Sequence, residues 1–212
     1  MTHKLQLSNI IGRYKPSFTV GSLVLVSILS TAILAQSAAA LVTEKIDVRA
    51  RAIHAVLPPP IGPVTAYHLF IIYTEIHGIQ FICQGFPLDA KTGKVAPDAI
   101  LPANPPGLLT KGHCIPYHPG NRDFIPGAPS ITVVSGTNAD LAFHCFVRET
   151  ALFNIAKVPY HLIKGPNSNS YTRTMLDQCN VPALKPSVAT LTPGWDISIN
   201  LAHIFNNPRS IF

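Results

Sequence analysis

The sequence predicts an α+β domain: an antiparallel sheet packed by two or more helices, preceded by an N-terminal transmembrane or signal helix. Three observations carry that prediction. Two apolar runs rich in β-branched and aromatic residues, Tyr67–Tyr73 and Ile79–Cys83, are separated by a short polar interruption ending at Gly78. Two later stretches have helical spacing and begin with capping residue types. Ser17 to Thr43 contains no charged residue.

That charge-free run opens the chain. Lys4, Arg13 and Lys15 precede it without an acidic residue, which places the N-terminus in the cytoplasm and the remainder beyond the membrane. It ends in Ala35-Gln36-Ser37-Ala38-Ala39-Ala40, where small residues offer cleavage sites. Residues 1–43 therefore read as a membrane anchor or a cleaved signal, giving a single-pass membrane protein or a periplasmic or secreted one. The remaining stretch, about 170 residues, suits one core.

Of the formal charge of +6, the three leader cations supply half. The other basic residues are dispersed, without the runs or aromatic interleaving that nucleic-acid binding needs. Membrane and solvent are thus the expected surroundings, with no nucleic-acid partner.

Residues 44–63 read as a linker. Ile46, Val48, Ala50 and Ala52 alternate as in a strand, and Pro58-Pro59-Pro60 is a rigid extended connector. The 67–83 hairpin follows, starting the folded domain at about residue 64. Residues 87–129 hold much of the chain's 20 prolines and read mostly as loop, either a lid or ordered packing. Ile131 to Val134 is a short strand. Asn138 and Asp140 are N-cap candidates for a helix over Leu141 to Lys157, with Leu141, Cys145, Leu152 and Ile155 near helical spacing and Pro159 as its stop. A second helix runs from about Ser168 to Cys179, with Tyr171, Met175, Leu176 and Cys179 on one face.

Four cysteines, Cys83, Cys114, Cys145 and Cys179, fit an oxidising compartment and allow two disulfides in three connectivities. Cys145 and Cys179 read as helix packing residues, a bridge between them being one option. His113-Cys114, His144-Cys145 and His118 match no structural zinc spacing. No metal or other cofactor is expected.

The chemistry-bearing segment is Gly165-Pro166-Asn167-Ser168-Asn169-Ser170-Tyr171. A hydroxyl at a helix start lies among free N–H groups and the positive end of the helix dipole, which favour a developing anion. His68 interrupts an otherwise apolar strand and is the candidate general base. Gln80 or His77, on or beside the next strand, is the candidate third group that fixes the imidazole. The competing explanation is structural, since Ser and Asn at a helix start are also what capping requires.

Asn167-Ser168-Asn169-Ser170-Tyr171 resembles the Asn-Cys-x-x-Phe signature of circularly permuted papain-like proteins, among them the lecithin:retinol acyltransferase group and permuted relatives of the NlpC/P60 peptidases. Tyr67 to Tyr73 resembles their histidine strand, which likewise precedes the nucleophile helix. The resemblance covers residues 64–200 but rests on these two stretches. It implies a permuted papain-like fold with Ser168 at the nucleophile position, His68 as base and Gln80 as the polar third residue. The implied activity is amide or ester hydrolysis in the cell envelope, on a cell-wall peptide or a lipid. The departure is serine for cysteine: a thiolate forms readily beside imidazole, whereas serine must lose its proton during attack. Two other outcomes follow from that departure: an envelope protein that keeps the cleft and only binds such a ligand, and a purely structural membrane-anchored domain.

Overall fold

A computed structural model describes residues 42–57, 62–96 and 107–206. The expected anchor or signal, residues 1–43, lies outside them except for its last two positions. No helix among the described residues is long and apolar enough to cross a membrane.

The described residues form an α+β domain with five strands and three helices. The strands are β1 (Lys45–Leu57), β2 (Gly62–Thr74), β3 (Gln80–Asp89), β4 (Leu108–Pro116) and β5 (Ser130–Ser135). They make one antiparallel sheet in the order β4-β3-β2-β1-β5. The helices are α1 (Asn138–Ile155), α2 (Ser168–Gln178) and the short α3 (Leu201–Asn206).

Two expectations change here. Of the stretch 44–63 expected as a linker, Lys45–Leu57 is a strand: β1 pairs with β2 along its whole length and with β5 on its other side, and Gly62 begins β2. The alternation of Ile46, Val48 and Ala50 with charged residues is that of a strand with one face in the main core, and all three are buried. Likewise β4 and the end of β3 occupy part of the stretch 87–129. Turn residues hid them, because Gly112 and Pro87 lower strand propensity.

Strand alternation gives the sheet two unlike faces. Ile46, Val48, Leu69, Ile71, Tyr73 and Cys83 meet α1 and α2 in the main core. Phe70, Ile72 and Ile82 face the other way, under Tyr117 and Ala128 of the connection from β4 to β5. Tyr117, Phe124 and Ala128 of that connection pack on the sheet. Arg49 holds the connection down, with its guanidinium over the Tyr117 ring (5.6 Å) and Nη1 donating to the Pro126 carbonyl (3.5 Å).

Helix α1 presents a different face from the one its apolar spacing suggested. Ala139, Ala142, Phe146, Thr150 and Phe153 are buried, whereas Leu141 and Ile155 are 68% and 64% exposed. Its N-cap position is Thr137, without a side-chain cap bond, rather than Asn138 or Asp140. Cys83 is bonded to Cys114 across β3 and β4, and Cys145 on α1 to Cys179, the C-cap residue of α2. All four sulfurs are therefore committed, and the His113-Cys114 and His144-Cys145 pairs present no thiolate to a metal.

The pairing of β2 positions the site. β2 pairs with β3 only from Ile71↔Cys83 to Thr74↔Gln80. Toward its N-terminal end β2 leaves β3, and the start of α2 fills the gap. The edge groups of β2 that would face a strand meet side chains of α2 and one loop carbonyl instead. Asn169 Oδ1 accepts from the Leu69 N–H (2.8 Å), and Asn169 Nδ2 donates to the Tyr67 carbonyl (2.9 Å). Thr172 Oγ1 donates to the Leu69 carbonyl (2.9 Å), and the Tyr67 N–H reaches the Leu191 carbonyl (2.8 Å). Buried backbone polar groups must be satisfied, and here one helix turn does for β2 what a neighbouring strand would.

Candidate active site

Each residue of the 167–171 segment has a separate task. Asn167, in extended conformation, is the N-cap of α2: its Oδ1 accepts from the N–H of Asn169 (2.9 Å) and of Ser170 (3.2 Å). Its Nδ2 donates to the carbonyls of Leu162 (2.9 Å) and Pro193 (3.0 Å). Ser170 Oγ donates to the Gly194 carbonyl (2.7 Å). Gly194 has φ of +77°, and a Cβ there would lie 2.6 Å from the Asn167 amide, so this loop requires glycine.

Tyr171 lies on a flat patch made by Gly85 and Gly112, which are register partners on β3 and β4. A Cβ at Gly112 would stand 2.0 Å from Tyr171 Cε2. One at Gly85 would stand 2.9 Å from Ser168 Cα. Two glycines facing each other thus let the helix start sink into the sheet.

With capping assigned to Asn167, the Ser168 hydroxyl is free of that duty. It sits 3.0 Å from His68 Nδ1. This contact spans a hundred residues of chain and places the predicted pair within hydrogen-bond reach. The Asn169 clamp on the groups flanking His68 holds the imidazole opposite the serine. His68 itself is only 6% exposed.

Gln80 is not part of this arrangement. Its Nε2 donates to Thr74 Oγ1 (3.0 Å) at the turn end of the hairpin, and His77 lies in that turn. The glutamine beside the imidazole is Gln84, with Oε1 3.4 Å from His68 Nε2. Gln80 and Gln84 are four residues apart on one strand and so share a face; only the register Thr74↔Gln80 separates them. Gln84 Nε2 in turn lies 3.1 Å from His113 Nε2 on β4.

Sequence reasoning also missed Asp123. The connection after β4 brings it to the same edge of the imidazole, Oδ2 being 3.9 Å from His68 Nε2, and leaves it 3% exposed. Arg51, the register partner of His68 on β1, forms an ion pair with Asp123. A lone acid in a proline- and glycine-rich loop carries no motif, so no local signal distinguishes it. His113 is half-buried, and burial pushes its pKa below the ordinary histidine value while Asp123 pulls the other way.

The pair opens on a cavity of about 440 Å³. Arg51, Asp123 and Arg122 are its charged lining residues, and its walls are largely apolar, including Ile53, Val64, Ala66, Phe86, Ile115 and Leu162. Among the described residues no group of His, Cys, Asp and Glu has the arrangement of a metal site. No protein-family model matches the chain, and neither does any curated protein or solved structure.

Proposed function

We propose that the protein is a serine-dependent hydrolase of the circularly permuted papain-like kind, acting on an ester or amide with an apolar acyl group. The observation that carries this reading is the 3.0 Å contact between Ser168 Oγ and His68 Nδ1 at the cavity wall. Neutral His68, with its proton on Nε2, accepts the Ser168 proton at Nδ1 as Oγ attacks the carbonyl carbon. Gln84 Oε1 and the Asp123 carboxylate, both on the Nε2 side, favour that tautomer and stabilise the imidazolium that forms. A nearby carboxylate suits serine, whose proton must leave during attack. The tetrahedral oxyanion develops at the start of α2, where the Ser168 N–H lies outside the Asn167 capping scheme. His68 then protonates the leaving group, and water, activated in the same way, releases the acid.

The apolar walls favour a lipid-like acyl group over a cell-wall stem peptide. Such peptides carry carboxylates and amines that require charged partners, and Arg51 and Asp123 already answer one another. Two disulfides support an oxidising compartment, in keeping with an envelope location and with an anchor or signal in residues 1–43.

The test uses the full chain in detergent, a fluorophosphonate probe and p-nitrophenyl esters of increasing acyl length. Adduct on Ser168 is expected, with none in Ser168→Ala and labelling about 10²- to 10⁴-fold slower in His68→Ala. Ester turnover should rise with acyl length. Absence of adduct and of turnover in folded protein would leave the cavity as a binding site and end the catalytic reading.

A further inference from the structure

His68 does not fix its own tautomer, and the residues around it supply a chain that does. For Ser168 to transfer its proton, Nδ1 must be bare and the imidazole proton must sit on Nε2. Gln84 secures this only with its carbonyl oxygen toward His68. A primary amide rotated by a half-turn would present its NH2 there instead and would draw the proton to Nδ1. What decides between the two orientations is the group on the other side of the amide. That group is His113 Nε2, 3.1 Å from Gln84 Nε2.

We infer that His113 is a positioning residue: its bare Nε2 accepts from the Gln84 amide, and this holds the His68 proton on Nε2. The inference rests on the catalytic reading above for its consequence in rate, but not for its geometry. From β3, Gln84 and Phe86 face His113, the Phe86 ring with its centroid 4.9 Å away. From β2, His68 lies behind Gln84, and from the β4–β5 connection comes Asp123. Arg51 on β1 neutralises part of that carboxylate, and Arg122 lines the same cavity. Lys111, on β4 itself, donates to the Asn154 carbonyl on α1 (3.3 Å). The apolar surroundings that desolvate His113 favour its neutral form, and with its proton on Nδ1 that form accepts at Nε2.

A second consequence is that His68 and His113 cannot both be protonated through one amide. An imidazolium at His113 offers an N–H where the amide also offers an N–H. Rotating the amide to accept it breaks the bond from His68 Nε2–H. Protons on the two histidines therefore oppose each other, although the rings do not touch.

The experiment is long-range ¹⁵N NMR of the histidine rings in the full-length protein, alongside fluorophosphonate labelling. In the wild type at pH 8, His68 should show one tautomer with the proton on Nε2. In His113→Phe, which keeps an aromatic ring against Phe86 but removes the acceptor, it should become a mixture, with labelling about tenfold slower. His113→Gln, whose side-chain oxygen can accept, should restore both. Gln84→Glu, which accepts from both sides, should raise the His113 midpoint and serves if His113→Phe does not fold. An unchanged His68 tautomer in His113→Phe, or an unmoved His113 midpoint in Gln84→Glu, would overturn the inference. If Ser168 proves unreactive the labelling readout is silent, but the tautomer and the midpoint still decide.

Discussion

The two ends of the β2–β3 pair use the same strands for opposite purposes. At the turn end, Ile71 to Thr74 pair with Gln80 to Cys83, Tyr73 stacks on Phe143 (4.5 Å), Phe143 packs on Phe81 (5.1 Å), and Cys83–Cys114 joins the next strand. At the other end the strands part, and Asn169 and Thr172 replace the missing partner. The closed end supplies apolar burial. The open end lets a helix N-terminus pass between strands, so a residue from the helix layer reaches a histidine on the opposite face. Alternation puts His68 on the face away from the helices, and only a split in the sheet brings Ser168 to it.

Substitutions at the two ends should therefore fail differently. Asn169→Ala should have the largest effect on stability, on the order of 4 kcal/mol, because it leaves the buried Leu69 N–H and the part-buried Tyr67 carbonyl without their side-chain partner. Urea unfolding measures it, and labelling of the remaining folded protein should fall as well. Replacing Cys83 and Cys114 together by alanine should lose about 2–4 kcal/mol, with the labelling rate of folded protein unchanged. Equal loss of rate in that variant would mean that the ends are not separable.

Gly85→Ala sharpens the comparison further. The added methyl meets Ser168 Cα and Tyr171 Cβ at 2.9 and 2.7 Å, so α2 must retreat. A loss of about 1–3 kcal/mol is expected. Labelling should slow by about a hundredfold, since a shift of about 1 Å between reacting groups has that effect.

The smallest effect is on pH dependence. His113 has a folded pKa below its unfolded one, so its contribution is full above the unfolded value. It is lost as pH falls from about 6.5 through the folded pKa. Urea midpoints measured at pH 7.5 and pH 5 should differ less in His113→Phe than in the wild type.

The hairpin, the histidine strand and the serine helix were legible because each is local. β-Branched runs around a glycine turn, a polar residue within an apolar strand, and a capping segment before a periodic stretch are all signals within a few residues. β4 was not legible, since its glycine serves contact with Tyr171 rather than strand propensity. The buried face of α1 was misread because its inward residues include alanine and threonine, while Leu141 and Ile155 are outside.

Sequence by itself determined the α+β class, the order of histidine strand before serine helix, and the identity of His68 and Ser168 as a candidate pair. Tertiary structure decided that Asn167 caps α2 and leaves Ser168 its hydroxyl, that Gln84 stands where Gln80 was expected, and that Asp123, Arg51 and His113 join the site. The reason is physical. Propensity and capping act over one turn of chain, whereas strand register and the path of a connecting loop are set by packing between residues far apart in sequence.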